Sequence, residues 1–247
     1  MKFTNAPIKE VVIGAQFNGR IISNECIYRF YDLIKNKFPI IKENHILPAI
    51  IEKLDIPSET KILPGFNSRK FFINENGSKL IQLQGDRLLF NWKKTDLNEE
   101  YPHFDTVYKE FRLVLNEVDM ICKIIDKINQ VEVTYLDHVL LSDFDKQTFN
   151  PLNIFSLLNI QENDNLKHLK VELAYPVADL NGVLNINLTS ATKNNDEKIF
   201  VLESTCRGAL NGKNLNTWYE SAHQILLNRF RSIITENAKQ KWGFSNE

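Results

Sequence analysis

Residues 70–93 read KFFINENGSKLIQLQGDRLLFNWK. Two turn signals, Asn76-Gly77 and Gly85-Asp86, divide the stretch into runs at Lys70–Asn74, Lys79–Gln84 and Arg87–Lys93. Asn-Gly accepts the positive φ of a tight reversal and Gly-Asp allows a similar one, so the three runs fold back on each other as a β-meander. The period then changes. Phe104, Val107, Phe111, Val114 or Leu115, Val118, Ile121 or Cys122, Ile125 and Ile128 recur at helical spacing, which predicts a long amphipathic helix lying across that meander.

Upstream, Glu10 to Asn18 alternates as a strand, with Val11, Ile13, Ala15 and Phe17 on one face and Val12, Gly14 and Gln16 on the other. A helix capped by Ser23 or Asn24 follows; Ile27, Phe30, Tyr31, Ile34 and Phe38 form its stripe and Pro39 stops it. Pro48, Pro57, Pro64 and Gly65 punctuate 40–67, which reads as an irregular connection with a short helix over Ala49–Leu54.

The order then recurs. Val131, Val133, Tyr135, Val139 and Leu141 alternate as a strand, Pro151–Leu158 reads as a short helix, and strands are expected near Leu169–Tyr175, Val183–Ser190 and Lys198–Cys206. A last helix, with Thr217 and Glu220 spaced as a capping box and Trp218, Ala222, Ile225, Arg229, Phe230 and Ile233 along its stripe and rim, closes the chain. The expected fold is α+β: two tandem β-α-β-β-β-α units, about 9–129 and 131–240, forming one long antiparallel curved sheet with two long helices on it. This makes 1–247 a single domain with an internal duplication. Its element order resembles the TATA-box-binding and helix-grip folds, a likeness that implies no function.

Composition sets bounds on function. Hydrophobic residues are 43% and charged residues 25%, enough to build a core, while 30 basic against 31 acidic side chains give a net charge of -1. Such a balance supplies no long-range attraction for a nucleic-acid backbone, so a polyanion site would have to be local. No apolar run approaches the roughly 18 residues needed to span a bilayer, and the amino terminus lacks the apolar core of a signal peptide. The cysteines Cys26, Cys122 and Cys206 are odd in number, without a CxxC pair, so no disulfide framework or zinc site is indicated and a cytoplasmic setting is expected.

Tests for chemistry are mostly negative. Gly208-Ala209-Leu210-Asn211-Gly212-Lys213-Asn214 approaches a phosphate loop, but the glycines are one residue too close and Asn214 stands where a hydroxyl must bind magnesium. Glu59-Thr60-Lys61 falls in the proline-rich connection rather than on a nuclease strand, and His45, His103, His138, His168 and His223 lack metal-ligand spacing. No catalytic residue, metal or cofactor is expected. Cys206 beside Arg207 admits an activated thiol, with a small buried cysteine the commoner case. Lys35, Lys37 and Lys42, interleaved with Phe38, Ile40 and Ile41, suit single-stranded nucleic acid or, more ordinarily, a solvated helix end.

Asp137 stands apart. It continues the odd-numbered alternation of the apolar strand face, where an unpaired carboxylate is costly. The ordinary resolution is a bulge or strand end that exposes it, or a structural hydrogen bond. The sharper one joins Tyr135, Asp137 and His223 in a ligand-binding pocket between sheet and helix.

The chain also resembles an uncharacterised, sporadically distributed bacterial family of about this length. The carriers are Asn5-Ala6-Pro7-Ile8-Lys9-Glu10-Val11-Val12, the meander Phe72–Phe90, the strand through Tyr135, and the final helix through Trp218, His223, Phe230 and Ile233-Ile234-Thr235. Family members carry Arg-Tyr-x-Asn where this chain has Thr134-Tyr135-Leu136-Asp137, so any role of that Arg is absent or altered. The resemblance implies fold and length but no activity. Patchy distribution suggests phage defence or a toxin–antitoxin operon. Together these readings favour a non-enzymatic subunit or sensor that binds another protein encoded nearby, ahead of a small-ligand pocket or enzyme and of a nucleic-acid binder.

Overall fold

A computed structural model describes residues 2–54, 56–61, 68–96, 99–140, 144, 151–157, 167–193 and 196–245. In chain order the N-terminal part holds β1 (Lys2–Phe3), β2 (Ile8–Phe17), α1 (Asn24–Ile34), β3 (Ile40–Asn44), β4 (Ala49–Ile51), β5 (Glu59–Lys61), β6 (Arg69–Ile73), β7 (Lys79–Gln84), β8 (Arg87–Lys93) and α2 (Phe104–Cys122). The remainder holds β9 (Ile128–Leu140), β10 (Lys170–Val177), β11 (Gly182–Thr192), β12 (Lys198–Gly208), α3 (Leu215–Ile233), α4 (Glu236–Lys241) and β13 (Phe244–Ser245). Nine strands form one sheet in the order β10-β11-β12-β9-β2-β8-β7-β6-β3, and every pairing within it is antiparallel.

The two parts of the chain meet at the β2–β9 ladder, where Val11 faces Tyr135, Ile13 faces Val133 and Ala15 faces Val131. These are the odd-numbered, apolar positions of the two alternating strands, and all are buried. They continue into a core shared with Phe30 of α1, Phe111 and Leu115 of α2, and Trp218 and Tyr219 of α3. The helices therefore cover one face of the sheet. Phe111 and Tyr219 meet edge to face at 5.4 Å between α2 and α3, and the Tyr219 hydroxyl donates to the Gly14 carbonyl at 2.8 Å, tying α3 to β2.

Several expectations change. Ala49–Leu54 is not a helix: β4 pairs with β5 as a separate small hairpin, consistent with its β-branched Ile50-Ile51 pair. The rest of that connection also contains β3, paired with β6 at the sheet edge. Glu59-Thr60-Lys61 is therefore on a strand, but Glu59 pairs with Lys53 and Lys61 at the surface rather than joining a carboxylate cluster. The second helix ends at Cys122, because Lys123 adopts φ 55 and Ile125–Lys127 tighten into a 3-10 turn before β9 begins at Ile128. Pro151–Asn153 is likewise only a 3-10 turn, followed by a bridge from Phe155 to Ile234; Leu158 lies outside the described residues.

The final helix does not use the Thr217–Glu220 capping box. Asn214 is its cap, accepting from the Thr217 amide at 2.9 Å, which starts the helix a turn earlier. It stops at Ile233, and Thr235 caps the short α4 separately. Cys26 and Cys122, distant in sequence, bring their thiols within hydrogen-bonding reach across α1 and α2 as free cysteines.

Candidate functional site

On the helix face, β9 presents Tyr135 and Asp137 two residues apart, as strand geometry requires. His223 descends from α3, and the segment entering α2 supplies Tyr101. The Tyr135 hydroxyl lies 2.8 Å from His223 Nδ1 and 3.2 Å from the Tyr101 hydroxyl, making a continuous chain of three polar groups. Phe104, the first residue of α2, stacks on His223 with centroids 4.2 Å apart and planes 5° from parallel, while Trp92 packs on Tyr101. Burial holds His223 down at about 4, partly opposed by Asp105, so the ring is neutral at pH 7 and its tautomer sets which of Nδ1 and the Tyr135 hydroxyl donates. Burial also raises both tyrosines above the ordinary range, so they remain protonated donors.

Asp137 is 3% exposed on this same apolar face, so neither a bulge nor a strand end releases it to solvent. The bulge lies in the neighbouring strand instead: the β2–β9 register shifts between Ile8 and Glu10, opposite Asp137 and Leu136. No hydrogen bond or ion pair reaches the Asp137 carboxyl among the described residues, and burial raises it to about 7. Its charge is felt by Tyr101 and Tyr135. Of the sequence-predicted trio, Tyr135 and His223 are bonded directly, while Asp137 lies two residues along β9 from Tyr135 and acts on the two tyrosines, with no contact to His223 among the described residues. Tyr101 was missed, because it lies in a connection with no periodicity to mark it. An open depression lined by Arg112, Asn214, Leu215, Asn216 and Thr217 includes none of the trio.

The opposite face carries a second polar assembly that sequence reading passed over. Here Gln16 of β2, Gln84 of β7, Arg87 of β8, Gln130 and Glu132 of β9, and Arg207 of β12 are all buried or nearly so. The segment 47–52, including β4, lies on them as a strap. Gln84 accepts from the Leu47 amide at 2.9 Å and donates to the Leu47 carbonyl at 2.8 Å. Gln16 does the same for Ile50, with both distances 3.0 Å. With its amide oriented to satisfy both atoms, Gln130 donates to the Ile50 carbonyl at 3.0 Å and accepts from the Glu52 amide at 2.9 Å. Arg87 reaches the Pro48 carbonyl at 3.0 Å and Gln16 Oε1 at 2.5 Å.

At the end of the strap, the Glu52 carboxylate is held by Arg207 at 3.0 Å and Asn185 at 3.3 Å, with Ser58 donating to its other oxygen. Arg207 also binds Glu132 through Nε at 2.6 Å. Burial opposes the Arg207 charge, yet Glu132 and Glu52 raise its pKa; burial likewise pushes Glu132 up, but Arg207 and Arg87 carry it below the ordinary value. Gly14 makes room for this pair, since a Cβ there would fall 2.3 Å from Leu89 Cδ2 and 2.9 Å from Glu132 Oε1. Arg207 thus serves the face opposite Cys206, whose thiol burial pushes up to about 12; no activated thiol exists there. Even-numbered glutamines on alternating strands were the available signal, easily mistaken for a solvated face.

Among the described residues, no group of three or more histidine, cysteine and acidic side chains is placed to hold a metal. No helix among the described residues is long and apolar enough to cross a membrane. No family model matches the chain, and no curated protein matches it. Among solved structures it is similar to the di-domain ARO/CYC StfQ from the steffimycin biosynthetic pathway, at 9% identity over 95% of this chain and 97% of that one. The TM-score is 0.21, and at that value the likeness carries no argument.

Proposed function

We propose that this chain is a non-enzymatic interaction subunit or sensor that works in the cytoplasm by binding another protein. The observation that carries the reading is strand β3, which ends the nine-stranded sheet with all five residues exposed. Its first two residues, Ile40 and Ile41, are 39% and 47% exposed, and Leu33 of α1 is also open. An unpaired apolar edge favours strand addition by an extended segment of a partner, the sheet supplying backbone hydrogen bonds and the isoleucines side-chain contact. Both edges carry an ion pair, Lys70–Glu43 at β3 and Lys170–Glu172 at β10, but β10 also has Pro176, which cannot donate to a ladder, and lacks the exposed isoleucines of β3. The family resemblance extends the proposal to setting, with the partner encoded by a neighbouring gene of a phage-defence or toxin–antitoxin operon. On the same reading the chain is one domain of two tandem units, each a leading strand, a three-strand meander and a long helix, with β3 and the β4–β5 hairpin added in the first, related in element order to the TATA-box-binding and helix-grip folds.

The test is co-purification with the neighbouring gene product, followed by size exclusion. A complex is expected, and Ile41→Lys should abolish it while moving the thermal midpoint little, as for most surface substitutions. A clean monomer with no partner, or a complex indifferent to Ile41→Lys, counts against the reading.

A second reading is a small-ligand receptor or enzyme using Tyr135, Asp137 and His223, favoured by the buried Asp137 carboxyl without a partner among the described residues. Thermal-shift screening would support it if a ligand stabilised the wild type and not Asp137→Ala.

A further inference from the structure

We infer that the polar face of the sheet is a binding site for an extended segment of a partner polypeptide bearing one acidic residue, a site that residues 47–52 occupy in cis. This inference goes beyond the β3 edge and does not depend on it. The contacts themselves describe the ligand. Gln84, Arg87, Gln16 and Gln130 address backbone amides and carbonyls at positions 47, 48, 50 and 52, so they recognise an extended main chain largely without regard to its side chains. Charged side-chain selectivity enters where Arg207 and Asn185 hold a carboxylate whose side chain is 1% exposed, and the buried Ala49 limits side-chain size at its position.

The strap is attached in a way that permits replacement. Among the described residues β4 pairs only with β5, which belongs to the same small hairpin, and has no main-chain ladder to the nine-stranded sheet. Side chains from β2, β7, β8, β9, β11 and β12 make the attachment described above, and all of these strands belong to the nine-stranded sheet. Another extended chain offering the same backbone and one carboxylate would satisfy the same groups. The face also retains unused capacity: among the described residues, Nε of Arg87, Nε of Arg69 and Oε1 of Gln82 are buried without a hydrogen-bond partner, and Arg87 and Gln82 are themselves more than nine-tenths buried. Register places all three on this face, since Gln82 pairs with Phe71 and Leu89 while Arg69 and Arg87 keep the same parity along their strands. Charge agrees. At the anchor Arg207 bridges Glu52 and Glu132, so without Glu52 its guanidinium keeps one carboxylate partner and can take an incoming one.

The experiment uses the full chain and a fluorescein-labelled peptide of residues 46–53, read by anisotropy. The Glu52→Gln chain, whose own strap has lost its charged anchor, should bind the peptide about tenfold or more tighter than wild type, the equivalent of one charge-assisted hydrogen bond. A peptide with Gln in place of its Glu should lose about the same factor. Equal affinity of both chains, or of both peptides, overturns the inference. So does dimerisation of the Glu52→Gln chain without a gain in peptide affinity, which assigns the exchange to a second copy. Should Glu52→Gln fail to fold, hydrogen exchange on the wild type decides. The Ile50 and Glu52 amides should exchange much faster than those of β9, because the strap opens by itself. Exchange as slow as in β9 overturns the inference. None of these outcomes alters the Ile41→Lys result, so the two proposals fail separately.

Discussion

The two faces of the nine-stranded sheet bury carboxyl groups in opposite ways. On the helix face, Asp137 sits among apolar groups without a partner among the described residues and is pushed up to about 7. On the strap face, Glu132 is equally removed from water, yet two guanidiniums hold it below the ordinary value. Burial alone therefore does not decide whether a carboxyl in this protein carries charge; the presence of arginine does. The consequences for stability have opposite sign. The depressed Glu132 contributes stability that is present above its unfolded value near 4.5 and is lost as pH falls through the lower folded value. Asp137 is raised, so between 3.8 and about 7 the folded state holds a proton that the unfolded state has released, and stability falls as pH rises through that window.

The strongest way to break this contrast is Arg207→Ala. It removes the ion-pair partner of Glu52 and one of the two guanidiniums at Glu132, leaving Arg87, and so moves the strap face toward the Asp137 environment. A loss of about 3–5 kcal/mol is expected by chemical denaturation at pH 7, the range for removing one member of a buried ion pair. A loss below about 1 kcal/mol would mean that water or rearranged side chains replace Arg207, and the contrast would not stand.

Asp137→Asn acts in the other direction. An amide cannot ionise, so the variant should be more stable than wild type at pH 8, by on the order of 4 kcal/mol if the whole displacement from 3.8 to about 7 is recovered. Near pH 4 the two proteins should differ little. The test is a pair of denaturation series from pH 4 to 8: the wild-type curve falls across the window and the variant curve is flatter. A variant less stable than wild type at pH 8 would show that the Asp137 carboxylate makes favourable contacts when charged.

Legibility in the sequence follows from the same physics. Period-two alternation around Val11 and Val133, the Asn76-Gly77 turn and the helical stripe from Phe104 are local patterns, and they marked the strands and helices of the large antiparallel sheet. Alternation also placed Tyr135 and Asp137 on one face, and the stripe of the last helix put His223 near them. The strap was not legible. Pro48 and Pro57 argue for a loop, and what makes 47–52 extended is a set of glutamines far away in sequence, such as Gln84 and Gln130. Capping failed for a related reason: Thr217-x-x-Glu220 satisfies the pattern, but Asn214, three residues earlier, binds the Thr217 amide.

The smallest effect discriminates most finely. Tyr135→Phe removes the hydroxyl bridging Tyr101 and His223 without changing the ring that packs beneath them. All three groups are neutral at pH 7, so the expected cost is about 1–3 kcal/mol, less than for the ion pair of the strap face. The proton affinity of His223 is the sharper readout. Burial, with Phe104 stacked on the ring, is the leading cause of its low value, and Asp105 acts against it. If burial governs the helix face, as it governs Asp137, then losing the Tyr135 hydroxyl leaves His223 near 4 in a nitrogen-15 NMR titration. A rise toward 6.5 would show that the hydrogen bond to Tyr135 holds the ring neutral. Specific partners would then set protonation on both faces, and the distinction between them would be one of degree.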